Sequence, residues 1–97
     1  MGPSPVPQES AAARPTVVRA RNERIASSAR RHRFDRDARV PFLCECSDDR
    51  CGELLRLTLE EYAVARDGAD HLVAPGHQVD GARIVRVKES CWMYRAR

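Results

Sequence analysis

Three of the four cysteines of this chain lie within eight consecutive positions, in the segment FLCECSDDRC that runs from Phe42 to Cys51. Their spacing is C-x-C-x4-C, with Cys44, Cys46 and Cys51. Such crowding is compatible with a metal site, a disulfide or a reactive redox thiol. A chain of 97 residues with 5% aromatic residues has a thin core, and small domains of this kind often depend on a disulfide or a structural metal. The cysteines therefore constrain the fold more than any other feature.

The redox environment decides between these possibilities. No stretch approaches the roughly 18 consecutive apolar residues of a membrane helix, and the N-terminal residues lack the apolar run of a secretory signal. We therefore expect a cytoplasmic protein with no membrane partner. Because thiols remain reduced in the cytosol, the clustered cysteines indicate a metal site before a disulfide.

Zinc is the metal that we expect, and three cysteines leave one ligand to be found. Structural Zn²⁺ is bound tetrahedrally by four Cys or His side chains, whereas an iron–sulfur cluster normally requires four cysteines. We favour His77 because Pro75-Gly76 predicts a turn that holds it in place. A small buried thiol such as Cys91 is an ordinary core residue. The residues that remain open as fourth ligands are His77, Cys91, His71 and His32.

Composition divides the chain into three segments. Residues 1–15 contain four prolines and few large apolar side chains, which predicts a disordered tail. Residues 16–39 are predicted to form a basic helix and a linker. Residues 40–97 are predicted to form a Cys3His zinc-binding α+β domain.

Arginines dominate the second segment. Nine arginines stand against three acids between residues 14 and 39, whereas eight basic and ten acidic residues follow from residue 40 onward. Val18, Ile25 and Ala29 recur at helical spacing, so we expect a helix from Val17 to about His32 with Thr16 as its N-cap. Its cationic face predicts a polyanionic partner, RNA or DNA. The arginines expected to contact nucleic acid are Arg19, Arg24, Arg30, Arg31 and Arg33.

The third segment contains a helix with a clear start signal. Thr58-Leu59-Glu60-Glu61 matches the capping box, which predicts a helix from about Leu59 to Arg66 that stops near Gly68. Alternating apolar and polar residues predict short extended runs on both sides of it, at 40–46, 54–59, 71–74, 83–88 and 91–94. The expected fold is α+β, with two helices and a short antiparallel sheet of three or four strands.

Several motifs also resemble those of a known family. The chain contains N-E-R-I, F-x-C-E-C-x4-C, L-T-x-x-E-Y and V-A-P-G-H, at residues 22–25, 42–51, 57–62 and 73–77. This pattern is similar to that of a family of small uncharacterised bacterial proteins, frequent in high-GC actinobacteria, and the likeness extends from about Arg19 to Val87. The resemblance implies that Cys44, Cys46, Cys51 and His77 form the metal site. The resemblance does not imply any particular activity.

The sequence as a whole predicts a non-catalytic zinc-binding module whose arginine segment binds nucleic acid. We find no glycine-rich phosphate loop and no nucleophile or carboxylate pair that the spacing singles out, so we expect neither an enzyme nor a small-molecule substrate. One alternative is a protein-interaction adaptor that docks on an acidic surface of a larger complex. Another is a thiol/zinc redox switch, in which oxidation of Cys44 or Cys46 releases the metal.

Overall fold

The computed structural model describes residues 13–32 and 35–97, and within them it contains two helices and five strands. The predicted α+β class is confirmed. The disordered tail is predicted over residues that include 1–12, which lie outside the described residues. Arg33, one of the arginines predicted to contact nucleic acid, also lies outside them. In chain order the elements are α1 Arg14–Arg31, β1 Val40–Leu43, β2 Leu54–Leu57, α2 Leu59–Arg66, β3 His71–Val73, β4 Ala82–Val87 and β5 Trp92–Ala96.

The strands form two antiparallel sheets of two and three strands, whereas the sequence predicts a single sheet of three or four. β1 pairs with β2, and β5 lies between β3 and β4 in a second sheet. The segment after β1 passes alongside β3, where the Glu45 amide donates to the Leu72 carbonyl at 2.9 Å. The segment adds no regular strand there, because the amides on either side of Glu45 donate to carbonyls on other parts of the chain. The Cys44 amide donates to Glu53, and the Ser47 amide donates to Gln78. The cysteine segment therefore joins the two sheets.

Helix α1 starts earlier than predicted. It begins at Arg14, its N-cap is Ala13 with no side-chain cap, and the predicted cap Thr16 lies inside the first turn. Pro15 occupies that turn, where its fixed φ suits a helix and its missing N–H costs no hydrogen bond. The predicted boundary between residues 15 and 16 therefore falls inside the helix.

One face of α1 is buried along its length. The buried residues recur every three or four positions, and the helix packs against β1, with further contacts to β3 and α2. The basic helix is thus part of the same folded unit as the cysteine segment. Its buried residues are Pro15, Val18, Asn22, Ala26 and Ala29.

Helix α2 has the predicted bounds, and its capping box is confirmed. The Glu61 amide donates to Thr58 Oγ1 at 3.0 Å, and the Thr58 amide donates to Glu61 Oε1 at 2.8 Å. Past its end, Gly68 has φ +73°, the left-handed conformation that suits a helix C-terminus. Arg86 of β4 donates to carbonyls in the last turn and attaches the second sheet there; the acceptors are Val64, Ala65 and Asp67.

The core lies between α1, α2 and the two sheets. The Phe42 ring stacks on that of Tyr62, with centroids 4.1 Å apart and planes at 9°. Around this pair, apolar side chains from both sheets are fully buried, among them Leu55, Leu57, Leu72 and Met93. Within the described part of the chain, neither helix is long and apolar enough to cross a bilayer.

Candidate metal centre

Four predicted ligands meet at the junction of the two sheets. One ligand atom from each of Cys44, Cys46, Cys51 and His77 lies within 4.8 Å of all the others. His77 Nδ1 is 3.4 Å from Cys44 Sγ and 3.5 Å from Cys51 Sγ. A tetrahedral ion with bonds of about 2.0 Å to nitrogen and 2.3 Å to sulfur places its ligand atoms about 3.5 to 3.8 Å apart. The cluster can therefore hold one metal ion.

A short turn brings the third cysteine back to the first two. Cys44 and Cys46 follow β1 directly, and Asp48 then reverses the chain. Its carbonyl accepts from the Cys51 amide at 3.1 Å, and its Oδ1 accepts from the Arg50 amide at 2.9 Å. Asp side chains commonly stabilise turns by such a bond to the backbone two residues on. This turn therefore carries Cys51 back to Cys44 and Cys46.

A second turn delivers the histidine. The His77 amide donates to the Ala74 carbonyl at 3.0 Å, with Pro75 and Gly76 at the two central positions. Gly76 has φ +87°, as the third residue of a type II turn requires. From β5, the Tyr94 hydroxyl donates to the His77 carbonyl at 3.0 Å. The turn was predicted from Pro75-Gly76, whereas the support from Tyr94 was not.

The electrostatics of the cluster disfavour thiolates that have no cation between them. Burial raises the pKa of the Cys44 thiol to about 12, and the neighbouring Cys46 and Cys51 contribute to that rise by charge repulsion. Burial also raises the pKa of the Cys46 thiol. Three thiolates at this spacing repel one another, and a divalent cation bound between them offsets that repulsion. The donor set thus fits a thiolate-binding metal, and the Ala74 amide donates a further hydrogen bond to Cys44 Sγ at 3.1 Å.

Arg14 holds the backbone of the cysteine segment. Its guanidinium donates to the Cys44 and Cys51 carbonyls at 3.2 Å each, and also to the Cys46 carbonyl. It lies 3.7 Å from Cys46 Sγ. From the sequence, Arg14 is only one of nine arginines in a basic segment. Its role depends on the docking of α1, so no local pattern could have identified it.

Glu45, between two of the ligand cysteines, is fully buried and faces a different set of partners. Its carboxylate accepts two hydrogen bonds from Arg66, at 2.9 and 2.6 Å, and one from Asn22 at 2.7 Å. The Leu72 amide donates to it at 3.1 Å. Burial alone would raise the pKa of Glu45, but its interactions with Arg66, His71 and Asn22 together outweigh that effect and hold the pKa below its usual value. This network was not predicted.

The alternative fourth ligands lie elsewhere. Cys91 is buried in the hydrophobic core. His71 Nδ1 lies 3.5 Å from Glu45, and His32 Nδ1 lies 2.8 Å from the Ser28 carbonyl at the end of α1. Only His77 among the candidates joins the three cysteines.

Access to the cluster is uneven. Cys44 and Cys46, the thiols on which the redox interpretation depends, are each only 1% exposed, whereas Cys51 and His77 are half-buried. All four cysteines are free thiols. A surface groove borders the cluster on the His77 side and gives an ion a path to it. It is lined by Cys46, Ser47, Asp48, His77, Gln78 and Asp80.

The predicted nucleic-acid-binding arginines are distributed around α1. Arg24 and Arg31 are seven residues apart, so they lie on the same side of α1, opposite its buried face, and both are exposed. We call these two residues the outward ridge. Arg30 is also exposed, on the flank nearer α2. Arg19 is half-buried, with its guanidinium 3.5 Å from Asp70. The exposed arginines are therefore spread over the solvent-facing side of the helix.

Comparisons with protein-family models, with curated proteins and with solved structures found no match.

Proposed function

We propose that this chain is a zinc-stabilised, non-catalytic binding module that contacts RNA or DNA through α1. The observation that carries the proposal is the Cys3His cluster, whose ligands come from both sides of the junction between the sheets. When bound there, zinc supplies a cross-link between the cysteine segment and the turn that carries His77, in addition to the backbone hydrogen bond from Ser47 to Gln78. Such a link stabilises a domain too small to have a large core.

Zinc is the metal that the donor set favours. Thiolates select soft or borderline ions over magnesium and calcium, and a Cys3His set is among the usual structural zinc sites. The four ligand atoms all lie within 4.8 Å of one another, which leaves room for a single ion. The four free thiols are consistent with the reducing cytoplasm that we propose as the location.

The number of protein ligands in the cluster supports a non-catalytic role. Four protein ligands complete a tetrahedron, whereas catalytic zinc sites keep one position for water or substrate. Glu45 is the carboxylate adjacent in sequence to two of the ligands, and its oxygens are occupied by Arg66, Asn22 and Leu72. It is therefore not available as a general base.

Elemental analysis of the purified protein tests the metal site. We expect one zinc per chain in the wild type and in Cys91→Ala, and loss of zinc in His77→Ala. The Cys91 variant is the matched control, because it removes a buried thiol that lies outside the cluster. A wild-type protein without metal, or a His77 variant that binds zinc as tightly as the wild type, would contradict the proposal.

Uncompensated charge on α1 supports nucleic-acid binding. Among the described residues, Arg24, Arg30 and Arg31 take part in no salt bridge, whereas Arg19 pairs with Asp70. Arginine contacts phosphates through two parallel hydrogen bonds and releases condensed counterions. The outward ridge of Arg24 and Arg31 is therefore the proposed first contact.

A salt titration tests this contact. We expect Arg24→Gln with Arg31→Gln to weaken binding of single-stranded RNA or duplex DNA. The salt slope, which is the slope of log affinity against log salt concentration, should decrease in magnitude by about 0.7 to 0.9 for each lost contact. Arg50→Gln with Arg56→Gln removes the same charge from two other exposed positions and is the control. Equal affinities and slopes for the two double variants would remove Arg24 and Arg31 from the proposal, and a wild type that binds neither probe would remove nucleic acid from it. A partner that stays bound after nuclease treatment would instead favour the adaptor alternative.

We also propose that the chain belongs to the bacterial family that its motifs resemble. Support comes from the places where those motifs lie in the fold. Asn22 bonds Glu45, and Glu23 accepts a hydrogen bond from the Tyr62 hydroxyl at 2.8 Å, while His77 joins the cysteine cluster. Motifs that are distant in sequence thus meet around one junction.

A further inference from the structure

The last two strands carry an unusual charge. Residues 82–97 contain five basic residues and one acid, whereas residues 40–81 contain three basic residues and nine acids. In the β4–β5 ladder, Arg83 lies directly opposite Arg95, and both side chains are exposed. Like charges directly opposite in an antiparallel pair are destabilising. No salt bridge within the described residues compensates either arginine.

Packing brings this pair of arginines to the N-terminal half of α1. The Ala96 amide donates to Asp70 Oδ2 at 2.7 Å, and Arg19 on α1 lies 3.5 Å from Asp70 Oδ1. The hydrogen bond from Ala96 lowers the pKa of Asp70, and the charges of Arg19 and Arg95 lower it further. Two basic segments that are far apart in the sequence thus meet around a single acid.

We propose that Arg19, Arg83 and Arg95 form one cationic surface, which binds the phosphodiester backbone of a nucleic acid. We call it the sheet-end surface. Asp70 balances one of its three charges, so two remain for a ligand. The inference rests on the proposed function, because it extends the contact made by α1 onto the second sheet. Arg19 belongs to α1, so the surface joins the helix to the second sheet, and it ends along α1 at the acid Glu23.

Charge density favours a nucleic acid over an acidic peptide. Cross-strand neighbours such as Arg83 and Arg95 have Cβ atoms about 4.5 to 5.5 Å apart, so they present two positive charges close together. Each strand of duplex DNA carries one negative charge per about 3.4 Å of the helix axis. An extended peptide places side chains on one face only about every 6.6 Å. The phosphate backbone therefore matches closely spaced arginines better.

Binding measurements on the full chain test the sheet-end surface. The probes are fluorescently labelled single-stranded RNA and duplex DNA of mixed sequence, titrated at several salt concentrations. Arg83→Gln with Arg95→Gln should weaken binding of the preferred probe about tenfold at low salt and reduce the salt slope by about 1.4 to 1.8. The matched control is Arg50→Gln with Arg56→Gln, which removes two exposed arginines outside the surface.

The folded state of each variant is checked by its zinc content and melting temperature. We expect Arg83→Gln with Arg95→Gln to melt at the same temperature as the wild type or higher, because a like-charge pair is removed. Weaker binding without loss of stability would support the inference, since a structural role for these arginines predicts the opposite change in melting temperature.

The outcomes separate this inference from the proposed function. If the wild type binds, Arg24→Gln with Arg31→Gln weakens binding, and the sheet-end variant behaves like its control, only the inference is overturned. If the wild type binds neither probe at low salt, both fail. If polyglutamate displaces the probe as well as an equal charge of unlabelled RNA, the surface is assigned to an acidic protein and the inference is overturned.

Discussion

The polar groups of the cysteine segment and the side chains of Arg24 and Arg31 on α1 differ in whether they have partners within the chain. Around Cys44, Cys46 and Cys51, backbone carbonyls accept from Arg14, and the intervening Glu45 is surrounded by donors. Arg24 and Arg31, by contrast, end in solvent with no acid to pair with among the described residues. The carbonyls and the Glu45 carboxylate of the cysteine segment are thus hydrogen-bonded within the chain. The guanidinium groups of Arg24 and Arg31 remain available to bind a partner.

The difference separates stability from binding. Internal partners make a buried polar group costly to remove, because its loss leaves a neighbour without a hydrogen bond. Exposed arginines without partners contribute little to the stability of the fold. Binding of a partner, and not stability, is therefore the role that we propose for them. Substitutions in the first region should therefore change folding, and substitutions in the second should change binding. The following predictions test that division.

Removal of the metal should have the largest effect. Structural zinc sites contribute apparent free energies of about 10 to 16 kcal/mol, which is comparable to the whole stability of a small domain. A strong chelator should therefore unfold the protein, and added zinc should restore it, as monitored by far-ultraviolet circular dichroism and thermal melting. The Cys91→Ala variant should respond in the same way, because its thiol lies outside the cluster. An unchanged spectrum and melting temperature after chelation would contradict a structural role.

Breaking the buried ion pair should come next. Glu45→Gln keeps the shape of the side chain but leaves the Arg66 guanidinium without its carboxylate, and loss of one partner from a buried pair costs about 3 to 5 kcal/mol. Urea denaturation measures the change in the free energy of unfolding. The exposed Glu60→Gln variant is the control and should change it by less than about 0.5 kcal/mol. Similar midpoints for the two variants would show that the network is not important for stability.

Loss of Arg14 should weaken the metal site without destroying it. Groups that orient metal ligands contribute about 10- to 100-fold to metal affinity, and Arg14 holds the carbonyls of all three ligand cysteines. We expect Arg14→Gln to lower zinc affinity by that factor in a competition assay with a chromophoric chelator. Arg21→Gln, an exposed arginine of the same helix, should leave the affinity unchanged. Equal zinc affinities would assign Arg14 to the general charge of α1.

The outward ridge should show the smallest effect on stability. Arg24→Gln with Arg31→Gln should change the free energy of unfolding by less than about 0.5 kcal/mol, because neither side chain has an internal partner among the described residues. Urea denaturation of this variant complements the salt titration described above. A loss of more than 1.5 kcal/mol, on the order of a buried hydrogen bond, would show that the ridge is part of the fold.

Local signals made α2 and the ligand cluster predictable. The capping box of Thr58 and Glu61 lies within four residues, and the turns that carry Cys51 and His77 are set by Asp48 and by Pro75-Gly76. The predicted start of α1 is wrong because Pro15 follows a proline-rich segment and so resembles the end of a tail, although proline also favours a first helical turn.

The remaining features depend on contacts between distant residues. Arg14 meets the cysteine segment across 30 or more positions, and Asn22 meets Glu45 across 23. Neither partner has a periodic or spacing signal that would reveal the other. The division into two sheets depends on how the cysteine segment crosses between them, which is a matter of packing.

The position of Glu45 has a consequence for how the chain assembles. Its carboxylate is bound by α1 through Asn22, by α2 through Arg66 and by β3 through the Leu72 amide. A partly assembled chain would bury this charge before all of its donors had arrived, which makes intermediates unfavourable. We therefore expect α1 and the cysteine segment to fold in one cooperative transition. Separate transitions, observed by hydrogen exchange at α1 and by zinc release, would show that the helix docks independently.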